Sequence, residues 1–121
     1  MERNRIIFFL NGQRISIEDD HAFLSLSAYL RQTKHLTGTK IVCEEGDCGA
    51  CTVLIGRPNG KGVLEYSILD ACIQFLFQLD LAHVITVEGL RADGKLSQVQ
   101  ELMVQNFSSQ CGFCTPGFVV A

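Results

Sequence analysis

The chain has 121 residues, which is enough for one domain with its own core or for two very small domains. Its hydrophobic fraction of 47% and charged fraction of 19% are those of a globular chain and exclude a disordered or fibrous protein. The net charge of −3 is mild and the Lys and Arg residues are scattered, so we expect neither nucleic acid nor a membrane as a partner. The apolar run 6–10 is too short for a signal peptide or a membrane span, and we expect a cytoplasmic protein.

The first elements along the chain predict a β-hairpin followed by a helix. Residues 5–10 are rich in Ile and Phe, and Asn11-Gly12 is a strong hairpin signal because both residues tolerate a positive φ. Residues 13–17 alternate apolar and polar side chains, which predicts the returning strand. Apolar residues then recur at spacings of three and four, which predicts a helix over 23–32. These residues are Phe23, Leu24, Leu26, Ala28 and Leu30.

Three more strands are predicted before residue 88. Residues 52–55 and 63–66 have strand composition, and a Gly- and Pro-containing turn over 56–62 separates them. Residues 73–79 favour one helical turn, and 84–87 are the last strand candidate. Five strands with one crossing helix predict an α+β fold, in which a β-grasp sheet occupies a first domain over 1–88.

The pattern changes after a polar, glycine-bearing boundary at 88–94, which predicts a second, helical domain over 89–121. One helix face there contains Leu96, Val99, Leu102, Met103 and Phe107. Ser97 and Gln100 are spaced for a capping box at its start. We expect this amphipathic helix to pack on its neighbours. The apolar end 118–121 is expected to begin a helix without packing partners, and therefore to be disordered or to self-associate.

The central motif consists of three cysteines spaced C-x4-C-x2-C. Cys43, Cys48 and Cys51 form it, and Cys72 follows after twenty further residues. This is the ligand spacing of a plant-type [2Fe–2S] centre, in which four thiolates hold two irons. Thiolates are soft, anionic donors that suit iron, and they leave a negatively charged cluster.

A negatively charged cluster needs backbone N–H groups that point at its sulfurs and tune its potential. Gly46, Gly49 and Ala50 lie inside the motif, and their small size lets the main chain wrap closely around a cluster. The acidic residues Glu44, Glu45 and Asp47 are expected to be solvated rather than catalytic. No nucleophile with its base and no glycine-rich phosphate loop is recognisable, so this segment is expected to carry electrons and to perform no substrate chemistry.

Other uses of six cysteines fit less well. Three disulfides would suit a secreted domain, but the close cysteine groups suit metal better. Zinc sites pair two similar knuckles, which the first motif does not provide. A Rieske centre needs two histidine ligands, and His21, His35 and His83 lie far from the cysteines in sequence. The pair Cys111-x2-Cys114 could be half of a zinc knuckle, a thioredoxin-like pair or half of a cluster, and its spacing alone does not choose.

Both cysteine motifs resemble the N-terminal iron–sulfur region of the xanthine dehydrogenase family of molybdenum hydroxylases. The resemblance is carried by five segments in the order found in that family: 38–40, 43–53, 71–72, 86–89 and 110–117. A plain plant-type ferredoxin would share the first motif and lack the second.

The resemblance implies a β-grasp domain that holds one [2Fe–2S] cluster through Cys43, Cys48, Cys51 and Cys72. It also implies a small helical domain with a second [2Fe–2S] cluster, for which Cys111 and Cys114 match the first two ligands. Gln110 matches a position that lies near the molybdopterin in relatives. The family's remaining two ligands come later in its sequences, so we expect the second cluster to be incomplete in this chain and the chain to be truncated within that domain.

The function that this resemblance implies is electron relay in an oxidoreductase, from a molybdenum site through [2Fe–2S] clusters to FAD and NAD. The long segment between Cys51 and Cys72 favours the small subunit of a bacterial xanthine dehydrogenase, an enzyme of purine catabolism. FAD and molybdopterin would belong to the full enzyme, and the partners would be its molybdenum-binding large subunit and its FAD domain. The alternatives are the small subunit of an aldehyde, carbon monoxide or aromatic hydroxylase, a free-standing ferredoxin and a zinc-binding interaction module.

Overall fold

A five-stranded mixed sheet is the main element of the computed structural model, which describes residues 4–121. Its strands are β1 (Arg5–Leu10), β2 (Gln13–Glu18), β3 (Thr52–Pro58), β4 (Leu64–Asp70) and β5 (His83–Ile85). They lie in the order β2-β1-β5-β3-β4, with β1 parallel to β5 and the other neighbours antiparallel. The predicted α+β fold with a β-grasp sheet is confirmed. The first three residues of the predicted 1–88 domain lie outside the described residues.

The opening hairpin forms as predicted. Asn11 and Gly12 both have positive φ, at 50° and 86°, so the two-residue turn matches the twist of the flanking strands. Phe8 pairs with Ile15 across the hairpin, and both side chains are buried. The apolar side chains of the alternating pattern therefore face the core, as the sequence predicts.

The helix that follows the hairpin begins later than predicted. A short α-helix, α1 (Leu26–Ala28), continues as a π-helical turn over Tyr29–Thr33. Ser25 fixes the start, because its side chain accepts a hydrogen bond from the backbone N–H of Ala28 at 3.2 Å. Phe23 therefore lies outside the helix, and its ring is 77% exposed.

The core lies between one face of the sheet and the segments that cross it. Its fully buried side chains come from all these elements, and burial of each such residue stabilises the fold by about 1.5–3 kcal/mol. They include Phe8, Leu26, Leu30, Val53, Ile55, Leu76, Leu79 and Val84.

Several predicted bounds need correction. The β3–β4 ladder is longer than predicted and extends to Pro58 and Leu64, because Asn59 closes the turn with hydrogen bonds to the N–H groups of Lys61 and Val63. The predicted single helical turn over 73–79 is two 3₁₀ turns, Ala71–Ile73 and Leu76–Leu79. The last strand ends at Ile85, since Val87–Leu90 forms another 3₁₀ turn.

A hydrogen-bond network joins the end of the sheet to the segment that leads into the cysteine loop. Thr86 is fully buried. Its backbone N–H donates to Asn11 Oδ1 and its hydroxyl accepts from Asn11 Nδ2, both at 2.9 Å. The Glu88 carboxylate accepts from the Thr86 hydroxyl and from the Gly38 backbone N–H, each at 2.8 Å. We call these four residues the Glu88 network. It connects three segments that are distant in sequence.

The second region contains two short helices, α2 (Gln98–Gln105) and α3 (Thr115–Val120). The predicted capping box is confirmed, because Ser97 and Gln100 satisfy each other's backbone N–H groups at 3.3 and 2.9 Å. The expectation that this helix packs on its neighbours is wrong. Its apolar side is open, with Val99 and Leu102 about half exposed, while the Gln100 side chain at its first turn donates to the Val87 carbonyl at 3.1 Å.

The end of the described chain also differs from expectation. Residues 115–120 form α3, and Val120 is buried at 7% exposure. The expectation of a segment without packing partners is therefore wrong. Within residues 4–121, no helix is both long enough and apolar enough to cross a membrane.

We predict that Glu88→Ala lowers the free energy of unfolding by about 1–3 kcal/mol, because the Gly38 N–H and the buried Thr86 hydroxyl lose a charged acceptor. Urea unfolding followed by circular dichroism measures this change. The matched control is Glu18→Ala, which removes an exposed carboxylate 3.5 Å from Arg5 and should change stability by no more than about 0.5 kcal/mol. Equal effects of the two substitutions would contradict the structural role of the Glu88 network.

Candidate metal centre

The cysteine motif forms an irregular loop that turns its backbone inward. Glu44, Gly46 and Gly49 have positive φ values of 55°, 79° and 75°. Alternating right- and left-handed residues turn successive N–H groups toward one side, which creates a concave surface for anions. The glycines named from the sequence thus have a conformational role, and Glu44 adopts the same left-handed region without being a glycine.

Five backbone N–H groups donate to three of the cysteine sulfurs. The N–H groups of Glu45, Asp47 and Cys48 approach Cys43 Sγ at 3.5, 3.4 and 3.4 Å. Ala50 donates to Cys48 Sγ at 3.4 Å. Cys72 donates to Cys51 Sγ at 3.4 Å. These contacts are the charge compensation that a thiolate-bound cluster requires.

The four predicted ligands lie as two pairs of neighbouring thiols. The Cys48 side chain is close enough to Cys43 to contribute to lowering the pKa of the Cys43 thiol, and the Cys72 side chain is close enough to Cys51 to contribute to raising the pKa of the Cys51 thiol. Within residues 4–121, no three His, Cys, Asp or Glu side chains converge as a single-ion site would require. The four thiols are soft, anionic donors, the kind that would hold the two irons of a [2Fe–2S] cluster.

The two pairs differ in their electrostatic surroundings. Hydrogen bonds from backbone N–H groups, first among them that of Cys48, lower the pKa of the Cys43 thiol to about 7. Burial raises the pKa of the Cys51 thiol to about 12. The Cys43 thiol is therefore prepared to bind as thiolate, whereas the Cys51 proton leaves when a metal ion replaces it.

Strands β3 and β4 position the thiol pair of Cys51 and Cys72. β3 begins directly after Cys51, and β4 ends two residues before Cys72, with Thr52 opposite Asp70 in the ladder. The Ala71 N–H donates to the Cys51 carbonyl at 3.2 Å. Cys51 is 3% exposed and belongs to the core, whereas Cys48 is exposed. The strand pair thus brings together two cysteines that are separated by twenty intervening residues in sequence.

Two residues of the loop's surroundings were missed by sequence reasoning. Thr52 donates its hydroxyl to the Gly49 carbonyl at 2.6 Å and holds that carbonyl in place. Ile73 lies over Gly46, where an added Cβ would come within 2.8 Å of the Ile73 Cδ1. Their positions next to Cys51 and Cys72 were the available signal.

The remaining site residues lie as follows. Glu44, Glu45 and Asp47 are exposed, as expected for solvated acids. All six cysteines are free, which gives the disulfide alternative no support.

Cys111 and Cys114 are both exposed, and Gly112 between them has a φ of 90°. Cys114 directly precedes α3, while Gln110 is exposed. Cys114 lines a cavity of about 200 Å³ together with Cys48. The roles assigned to Gln110, Cys111 and Cys114 therefore remain predictions.

Family models match most of the chain. Residues 8–73 match a 2Fe-2S iron-sulfur cluster binding domain, and residues 86–121 match a [2Fe-2S] binding domain. The first match contains Cys43, Cys48, Cys51 and Cys72, and the second contains Cys111 and Cys114. The chain belongs to the 2Fe-2S iron-sulfur cluster binding domain family.

Known proteins with similar sequences are oxidoreductases of two kinds. The chain is 40% identical over 117 residues to a probable aldehyde oxidase of Caenorhabditis elegans, a match that covers 96% of this chain. It is 38% identical over 123 residues to a xanthine dehydrogenase/oxidase of Rattus norvegicus, over 100% of this chain. Each match covers only 9% of the relative's length.

Solved structures agree with this assignment. An aldehyde oxidoreductase from Desulfovibrio gigas superposes with a TM-score of 0.79 at 35% identity, over 96% of this chain and 12% of that one. Quinoline 2-oxidoreductase from Pseudomonas putida 86 gives a TM-score of 0.77 at 35% identity, over 96% of this chain and 65% of that one. The resemblance to the iron–sulfur region of the molybdenum hydroxylases is confirmed, and the chain is an iron–sulfur electron-transfer domain of that kind.

We predict that Cys48→Ser abolishes the visible absorption of a reconstituted cluster, because one of four ligand thiolates is lost. The matched control is Cys111→Ser, which changes an exposed cysteine outside the first motif and should leave that absorption unchanged. Anaerobic reconstitution with iron and sulfide, followed by absorption spectroscopy, measures both. An unchanged spectrum in the Cys48 variant would contradict the ligand assignment.

Proposed function

We propose that this chain relays electrons within a molybdenum hydroxylase, from a molybdenum site through [2Fe–2S] clusters to FAD and then to NAD. The observation that carries the proposal is the arrangement of two thiol pairs with five backbone N–H groups directed at their sulfurs. A bound [2Fe–2S] cluster supplies reversible one-electron chemistry. The chain's own residues would bind the cluster, compensate its charge and anchor it to the core through Cys51.

The N–H groups are proposed to set how readily the site accepts an electron. Reduction adds negative charge at the sulfurs, and donors directed at Cys43, Cys48 and Cys51 stabilise that charge. Because these donors belong to the backbone of a loop held by β3 and β4, they need no rearrangement when the charge changes. Cys48 lies on the exposed side of the loop, which we propose as the side through which electrons enter or leave.

The second region is proposed to face the molybdenum site. Cys111 and Cys114 would provide half the ligands of a second [2Fe–2S] cluster, and Gln110 would lie near the molybdopterin. The partners would be a molybdenum-binding large subunit and an FAD domain. A free-standing ferredoxin would need neither the second cysteine pair nor a second [2Fe-2S] binding domain over 86–121, so these features favour the relay.

Within the family, we propose the small subunit of a xanthine dehydrogenase, acting in purine catabolism in the cytoplasm. The long strand–turn–strand segment between Cys51 and Cys72 supports this proposal. The rat xanthine dehydrogenase/oxidase aligns with 100% of the chain. Aldehyde oxidases reach 40% and 41% identity, so identity alone favours neither substrate class.

The metal content tests the relay directly. We expect the anaerobically purified chain to contain about two irons and a similar amount of sulfide, and to give a paramagnetic signal on one-electron reduction. Iron and sulfide analysis with electron paramagnetic resonance measures these quantities. A Cys114→Ser variant should retain the same iron content. Stoichiometric zinc without a reducible signal would contradict the proposal.

The substrate class is tested in the complete enzyme that contains this chain. The enzyme is mixed rapidly with either xanthine or an aldehyde and frozen within one turnover, and the paramagnetic signals of the reduced clusters are measured. We expect these signals to appear faster with xanthine. Faster reduction by the aldehyde would contradict the xanthine dehydrogenase proposal and leave the relay intact.

A further inference from the structure

The two cysteine regions meet at a backbone contact that depends on Gly117. This glycine is buried in α3 and packs against the main chain of the cysteine loop. A Cβ added at Gly117 would overlap the Gly49 carbonyl oxygen and would lie 3.2 Å from the Gly49 carbonyl carbon and 3.3 Å from Ala50 Cα. Its φ lies outside the left-handed region, so the requirement is one of space and not of backbone conformation.

The contact falls on the part of the loop that controls the Cys48 sulfur. The Ala50 N–H donates to Cys48 Sγ at 3.4 Å, and Ala50 is 4% exposed. The neighbouring Gly49 carbonyl accepts from the Thr52 N–H at 3.1 Å and from its hydroxyl at 2.6 Å. A side chain between Gly117 and Gly49 would have to displace this carbonyl or α3, because backbone atoms cannot rotate away as a side chain can.

The same contact sets the position of the second cysteine pair. Cys114 directly precedes α3, and its carbonyl accepts from the Phe118 N–H at 3.2 Å. The cavity of about 200 Å³ beside Gly117 is lined by both Cys48 and Cys114. Any displacement of α3 therefore changes the separation of the two cysteine regions.

We propose that Gly117 is a positioning residue for electron transfer. Because Gly117 has no side chain, α3 packs directly against the backbone of Gly49 and Ala50. This packing contact keeps the Ala50 N–H directed at the Cys48 sulfur and keeps the second cysteine pair close to the first cluster. This inference rests on the proposed relay function, but the backbone contact itself exists in the chain without metal.

The test is Gly117→Ala, with Gly60→Ala as the matched control. Gly60 has no atom within 4 Å of an added Cβ and no positive φ, so the same substitution there should change nothing. In the metal-free 121-residue chain, we expect Gly117→Ala to speed amide hydrogen exchange in α3 and at 49–52 by about tenfold or more, as overpacking opens the contact. Exchange in β1 and β2 should stay unchanged.

In the iron-loaded chain, the reduction potential gives an independent measurement. We expect Gly117→Ala to lower the potential of the first cluster, because a weaker Ala50 N–H contact stabilises the reduced, more negative state less. Gly60→Ala should match the parent chain.

The outcomes separate this inference from the relay proposal. An unchanged potential in a Gly117→Ala chain that loads iron normally would overturn the positioning role. Exchange that rises equally throughout the sheet, or not at all, would also overturn it. A parent chain that binds no cluster would contradict the relay, while the exchange measurement would still test the Gly117 contact.

Discussion

The concentration of thiolate charge in the loop 43–51 is the constraint on which the rest of the structure depends. Four thiolates around two irons leave a negative group that becomes more negative on reduction. This chain places no cationic side chain in the loop and uses backbone N–H groups instead. Such donors are available only when the loop adopts left-handed turns, which Glu44, Gly46 and Gly49 provide. The conformation of the loop is therefore part of the chemistry of the site.

A loop of this kind has little regular structure of its own, so neighbouring elements must hold it. β3 and β4 fix the positions of Cys51 and Cys72, because their ladder places Thr52 opposite Asp70. On its other side, the Glu88 network ties Gly38, which precedes the loop, to the end of the sheet. The contact of Gly117 with Gly49 adds a third support from the second region. Together these contacts connect the loop to both ends of the described chain.

Much of the fold could be predicted because its signals are local. Asn11-Gly12 defines a turn by its conformational preference, and Ser97 with Gln100 defines a helix start by its spacing. The first helix begins after Phe23 because the Ser25 side chain caps it, a contact that the apolar spacing does not indicate. The amphipathic pattern of α2 could not show that its apolar side chains stay exposed, because a pattern does not say whether a neighbour covers the helix. Ligand spacing identified the candidate cluster cysteines, but it could not reveal that the Cys72 thiol lies beside the Cys51 thiol, since that depends on how β3 and β4 align.

We expect the thiols of Cys43, Cys48, Cys51 and Cys72 together to hold two irons rather than one metal ion. Mössbauer spectroscopy of the chain loaded with iron-57 and reduced by one electron distinguishes these cases, because it separates ferric from ferrous iron and reports the ligands of each. Two iron components of equal area are expected, one ferric and one ferrous, both coordinated by sulfur in tetrahedral geometry. A single ferrous component that accounts for all the iron would contradict this expectation.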